Sequence, residues 1–238
     1  METEHDVPVT ADQAVAAVHH EAGTGDWLFF CHGFLSDKTG SYEGRCREAV
    51  EHGYDAVRFD FRGCGESDGD FVDSTLTSRI ADLDAVLDYF DPDSCVLFGS
   101  SFGGAVAFHA AVGDDRVEAV VTRAPVTYGA FDDLRVTVEV EGEIRFDDRR
   151  AIDERFLDDL DRHDFADVET SLDCPVAIFH GADDESVGIG DSFRAAESLE
   201  VDVMLQKYVG EGHRFSREAE ARMRQQLFDW LEVVGGGP

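Results

Sequence analysis

Apolar residues fall into two kinds of run along this chain. Short, nearly unbroken ones occupy Trp27–Cys31, Ala56–Phe59, Cys95–Phe98, Val117–Val121, Val176–Phe179 and Val203–Tyr208. Runs of this length, rich in β-branched and aromatic residues, predict strands buried on both faces. Val15–His20 is expected to add an edge strand. Between them, apolar positions recur at helical spacing. In Ser78–Phe90 the stripe is Ile80, Leu83, Ala85–Leu87 and Phe90; in Ser216–Val233 it is Ala219, Met223, Leu227, Trp230 and Leu231. This alternation predicts an α/β fold, a mostly parallel central sheet with helices on both faces. Chemistry in such sheets sits in loops beyond the carboxyl ends of the strands.

Residues 126–173 break the alternation. They are dense in acids and contain the alternating piece Leu134-Arg135-Val136-Thr137-Val138-Glu139-Val140, then Gly142 and Ile144-Arg145-Phe146. The pattern predicts a small hairpin followed by a helix around Ala151–Leu160. The segment is too short for a domain, so residues 1–238 read as one domain with a lid-like insertion over the sheet edge. Gly235-Gly236-Gly237-Pro238 reads as a frayed tail.

Charge alters the picture more than any other bulk property. The 238 residues carry 52 acids against 20 Lys and Arg, a formal net charge of −32. Such a field repels nucleic acid and anionic membrane surfaces, which are excluded as partners. Because the acids are spread along the chain rather than gathered in a tail, a surface adapted to concentrated salt is expected. At ~1 M ionic strength the Debye length is ~3 Å and crowded carboxylates stop repelling one another. No apolar run approaches the ~18 residues of a membrane span. The start Met1-Glu2-Thr3-Glu4-His5-Asp6 lacks the basic region of a secretory signal. Cys31, Cys46, Cys64, Cys95 and Cys174 are scattered without a C-x-x-C pair, as expected of reduced thiols in a cytoplasmic protein.

Gly99-Ser100-Ser101-Phe102-Gly103 fits G-x-S-x-G, between a predicted strand and the helical run Ala105–Val112. That context is the one a nucleophile elbow requires, with Ser101 at its tip; Ser100 is a rival outside the frame. A dinucleotide loop is excluded by the missing G-x-G-x-x-G spacing, here and at Gly63-Cys64-Gly65. A serine needs a histidine to take its proton and a carboxylate to orient that histidine, in the chain order Ser, acid, His. His180 and His213 follow the insertion. His213, in the loop before the last helix, is the better base, and Asp184 is the acid, with Asp183 and Glu185 as rivals. Backbone N–H groups of Phe34 and Phe102 are the expected oxyanion donors. His32 precedes both acid and serine and reads as a structural imidazole bracing its loop. No metal-ligand spacing appears, and neither metal nor organic cofactor is implied.

These motifs resemble the α/β-hydrolase superfamily over roughly residues 25–125 and 174–233. The resemblance is carried by His32-Gly33-Phe34, Arg58-Phe59-Asp60-Phe61-Arg62-Gly63-Cys64-Gly65-Glu66-Ser67, Gly99–Gly104, His180-Gly181-x-x-Asp184-x-x-Val187 and Gly212-His213. With Asp68-Gly69-Asp70-Phe71, the second run is similar to the branch holding cinnamoyl and feruloyl esterases and serine peptidase-like hydrolases. The resemblance implies Ser101, Asp184 and His213 as catalytic residues, Phe34 and Phe102 as oxyanion donors, and a small-molecule ester as substrate. Two departures stand out: Ser100 replaces the frequent His before the serine, and the insertion offers few aromatics (Tyr128, Phe131, Phe146, Phe156), so a phenolic pocket is not assumed. An exopeptidase or thioesterase using the same triad, and a binding protein without turnover, are the alternative readings. Arg62, Gly63 and Gly65 are expected to shape a tight loop, Cys31 and Cys64 to act as small fillers, and His109 to pack or cap. Oligomeric state is not specified by these features.

Overall fold

The computed structural model describes residues 1–129 and 131–234, so the tail Gly235–Pro238 lies outside the described residues. In chain order the strands are β1 (Glu2–Pro8), β2 (Ala14–His20), β3 (Asp26–Cys31), β4 (Tyr54–Phe59), β5 (Cys95–Ser100), β6 (Val117–Arg123), β7 (Glu143–Arg145), β8 (Ala151–Asp153), β9 (Val176–Gly181) and β10 (Val203–Tyr208). The helices are α1 (Ser41–Glu51), α2 (Leu76–Phe90), α3 (Phe102–Ala111), α4 (Asp132–Glu141), α5 (Glu154–Leu160), α6 (Phe165–Ser171), α7 (Ile189–Ser198) and α8 (Arg217–Val234).

Eight strands form one sheet in the order β1-β2-β4-β3-β5-β6-β9-β10. From β4 to β10 all neighbours are parallel, while β2 runs antiparallel to both β4 and β1. Alternate side chains of each strand enter two separate cores. Phe29, Leu97, Val120 and Ile178 pack with Leu83 and Val86 of α2 and Val106 of α3. Leu28, Phe30, Val96, Phe98, Val121 and Phe179 meet Tyr42 and Cys46 of α1 and Met223 and Leu227 of α8 on the other face. Two covered faces are the reason these strands read as unbroken apolar runs.

Several expectations are corrected. Val203–Tyr208 forms β10, but at the sheet edge with only Tyr208 buried rather than covered on both faces. The strand at Val15–His20 forms, but β1 pairs outside it, so β2 is second from the edge. Leu134–Val140 is no hairpin arm; it lies within helix α4. In a helix Leu134 and Val138 are four apart and share one face, and Val138 is buried while Val136 and Val140 are 67% and 79% exposed. Asp132 and Asp133 in the first turn suit the positive end of the helix dipole, and Gly142 ends the helix in the left-handed region. A small hairpin does exist, made of β7 and β8, so the helix expected around Ala151 starts at Glu154 instead.

Candidate active site

The carboxyl ends of β3, β5, β6, β9 and β10 bring the predicted residues to one side of the sheet. Ser101 links β5 to α3 with φ 54° and ψ −120°, a left-handed turn that a non-glycine residue adopts only under constraint. The motif glycines permit it by close approach. A Cβ at Gly99 would collide with the Gly103 carbonyl, and one at Gly103 with the backbone of Cys31 and His32. Ser101 N–H donates to the Arg123 carbonyl (2.9 Å), and its own carbonyl accepts from Gly104 and Val126 N–H (2.9 and 3.1 Å). The rival Ser100 is buried, its hydroxyl accepting from Arg45 of α1 (3.2 Å), so it is committed to the packing against that helix.

His213 Nδ1 lies 2.8 Å from Asp184 Oδ2. The Asp184 side chain is fully buried and that of His213 is 24% exposed. The other carboxylate oxygen accepts from the backbone N–H groups of Ser186 (2.8 Å) and Val187 (2.9 Å). His180 Nε2 stands 3.3 Å from Oδ2, and its Nδ1 meets the Ser192 hydroxyl at 2.7 Å. Burial by itself would raise the Asp184 pKa, but the His180, His213, Val187 and Ser186 donors outweigh it and hold the carboxyl well below the usual range. Asp183 and Glu185 are exposed.

Arg123 ties this pair to the elbow. Its carbonyl holds Ser101 N–H, and its guanidinium donates to the His213 carbonyl. Among the described residues no hydrogen bond joins the Ser101 hydroxyl to the His213 ring; such contacts commonly tighten only around substrate.

The loop after β3 lies directly against the serine, since a Cβ at Gly33 would sit 3.4 Å from Ser101 Cβ. His32 Nε2 accepts from Phe61 N–H (3.1 Å), which leaves its proton on Nδ1, and that proton goes to the Gly33 carbonyl (2.8 Å). Burial and the nearby Arg79 charge push the His32 pKa down to about 3, so the ring is neutral. Holding the Gly33 carbonyl turns the Phe34 N–H of the same trans peptide the opposite way. Phe102 opens α3, so its N–H lies outside the helical ladder. His109 is also depressed, to about 4, by burial and by His163, and stands apart from these residues. Gly63 and Gly65 form the expected tight loop, with Arg62 bound to Asp82.

The insertion contributes more than its aromatic count implied. Phe131, Phe146 and Phe156 gather on the Phe34 ring at centroid distances of 4.9, 5.5 and 5.2 Å. Phe131 and Phe156 also touch Phe102. The insertion therefore covers the two expected oxyanion residues. Sequence reasoning did not find His180 as a partner of Asp184, nor Arg79, Arg123 and Arg150; a lone arginine in the apolar stripe of α2 was the one available signal. Among the described residues no group of three or more His, Cys, Asp or Glu side chains is arranged to hold a metal, and no helix is long and apolar enough to cross a membrane.

Comparison with known proteins fits this geometry. The sequence profile of the alpha/beta hydrolase family matches residues 28–237. Palmitoyl-protein thioesterase ABHD10, mitochondrial, of Pongo abelii is 27% identical over 227 residues, covering 88% of this chain and 74% of the relative. The mouse alpha/beta hydrolase domain-containing protein 10 superposes with a TM-score of 0.87 at 22% identity, covering 98% of this chain and 99% of its own. Est1E from Butyrivibrio proteoclasticus, solved with ferulic acid, gives 0.86 at 19% identity over 98% and 99%.

Proposed function

The chain belongs to the alpha/beta hydrolase family, and within it we propose a serine hydrolase that cleaves carboxylic esters through an acyl-enzyme. Ser101 Oγ attacks the ester carbonyl while His213 Nε2 takes its proton. Asp184 keeps the other imidazole proton on Nδ1 and offsets the imidazolium charge. The alkoxide of the tetrahedral intermediate is received by the N–H groups of Phe34 and Phe102. Collapse expels the alcohol with the proton held by His213. Water then repeats the sequence on the acyl-enzyme, releasing the acid and restoring Ser101. The observation carrying this reading is the Asp184–His213 contact at 2.8 Å, tied through Arg123 to a serine held at φ 54°.

A fluorophosphonate probe in molar KCl tests it: wild type labels and Ser101→Ala does not. Labelling that persists undiminished in Ser101→Ala overturns the assignment, and wild type that never labels favours a scaffold without turnover. A thioester substrate is the second reading, supported by the name of the ABHD10 relatives. Rates on p-nitrophenyl esters, acyl-CoA and aminoacyl anilides, measured on one preparation, separate ester, thioester and peptide preference. The charge of −32 supports a working environment of concentrated salt in a cytoplasm.

A further inference from the structure

Arg79, on α2, is fully buried where that helix meets the site. Its guanidinium carbon lies 5.1 Å from the ring centres of Phe61 and Phe102 and 5.7 Å from those of Phe34 and Phe71. Nε donates to the Ser74 hydroxyl (3.0 Å), and Nη2 to the Phe34 carbonyl (3.2 Å) and to Cys64 Sγ (3.7 Å). Nη1 is buried without a partner among the described residues. No carboxylate lies within ion-pair distance of it there; the buried Asp82 acts on it only from further away and is itself engaged by the side chain and backbone N–H of Arg62. Arginine keeps its proton under such conditions, so this is a buried positive charge. Burying a charge without a counter-ion is costly, and aromatic faces return only part of the loss. A leucine or methionine would fill the box without that cost, so packing alone does not account for an arginine.

Its neighbours suggest what does. Three successive carbonyls of the loop beside Ser101 are each held by a side-chain donor. His32 takes Gly33, Arg79 takes Phe34, and Arg150 from the turn between β7 and β8 takes Leu35 at 2.6 Å. Arg79 thus touches both residues assigned as oxyanion donors, one by hydrogen bond and both by ring contact.

We propose that Arg79 is a positioning residue for the oxyanion hole. It fixes the Phe34 backbone and sets an unpaired positive charge behind the point where the alkoxide develops. In a dry interior that charge acts over several ångströms. In a molecule of net charge −32 it also opposes a field that would destabilise an anionic intermediate. The proposal rests on the acyl-enzyme reading above.

Arg79→Gln removes both the charge and the Nη2 donor to the Phe34 carbonyl while leaving an amide at the Nε position beside Ser74, and Arg79→Lys returns the charge without the planar fork. In molar KCl, kcat and KM are measured with a p-nitrophenyl ester. Inhibition is compared between an alkyl boronic acid, which becomes a tetrahedral anion on the serine, and the neutral amide of the same chain. Arg79→Gln is expected to lose about 10- to 100-fold in kcat and in boronate affinity, somewhat less than deletion of a direct oxyanion donor. KM and amide inhibition should stay within about threefold, and Arg79→Lys should recover part of the loss. A folded Arg79→Gln with wild-type kcat and boronate affinity overturns the proposal, as does an equal loss of boronate and amide binding. If Arg79→Gln gives no cooperative melt, Arg79→Met is judged by the same comparison. Wild-type labelling at Ser101 together with unimpaired Arg79 variants defeats this inference alone, whereas labelling that survives Ser101→Ala defeats the reading beneath it.

Discussion

Asp184 accepts from the His213 ring and two backbone N–H groups, with the His180 ring 3.3 Å away, while its side chain is fully buried, and this crowding sets its chemistry. Asp184→Asn puts an amide N–H against His213 and favours the wrong tautomer. We expect a fall of about 10⁴ in kcat from that change, with the fold intact. Asp183→Asn, on an exposed side chain, should change kcat by less than about twofold; steady-state kinetics on both decides the assignment, and the reverse ranking transfers the orienting role. The same carboxylate sets a pH signature. Its folded pKa is depressed below the ordinary 3.8, so its stabilising contribution is complete above about pH 4 and is lost as pH falls further. Wild type should therefore melt above Asp184→Asn at pH 7, with the gap closing in melts taken below pH 4. Ser101, Asp184 and His213 were legible as candidates because sterics and chain order restrict where an elbow, an acid and a base can stand. Arg79 and Arg123 were not, since each is defined by a carbonyl far away in sequence, Phe34 for one and His213 for the other.

Strands buried on both faces leave a sequence trace that survives without homologues, and β3, β5, β6 and β9 fall where apolar runs put them. Elements lacking such a trace were missed. β1, Glu2–Pro8, buries only Val7 and is held by its ladder to β2. α1 buries Tyr42, Arg45, Cys46 and Ala49, and Arg45 interrupts its apolar face while pairing with Glu220 of α8. In α4, a period of two along Leu134–Val140 competes with the four-residue spacing of Leu134 and Val138, and contact with the rest of the insertion selects the helix. As a strand, positions 136 and 138 would share one face and respond alike to truncation. As a helix, Val138→Ala should cost roughly 1–3 kcal/mol, while Val136→Ser should stay within about 0.5 kcal/mol. Chemical denaturation of the two variants checks this.

Over the whole molecule, 52 acids face 20 Lys and Arg, so carboxylate repulsion should be felt wherever acids crowd together. Where α2 and the turn after α3 meet, burial and the charges of Asp114 and Asp88 push the Asp84 pKa up to about 6. A raised carboxyl pKa means that the unfolded chain releases this proton first, so stability falls as pH rises from about 4 to about 6. Asp84→Asn should thus melt higher than wild type at pH 7 in dilute buffer. That advantage should vanish at pH 4 and shrink in molar KCl, where exposed charges are screened. Wild type itself should melt higher in molar KCl than in dilute buffer; a melt that is no higher removes the salt-adapted reading.

Local rules, acting over a few residues, determined much of this protein from its sequence: the parallel strands, the glycine-flanked turn at Ser101, the loop positions of Asp184 and His213, and an excess of acids over bases. Hydrophobic period and backbone sterics are properties of neighbouring residues, so they are written in linear order. Tertiary structure alone decided that α4 is a helix, that insertion phenylalanines meet Phe34, and that His32, Arg79 and Arg150 each hold a carbonyl of one loop. Those outcomes depend on which surfaces are pressed together once the sheet has formed, and a buried donor has no defined partner until then.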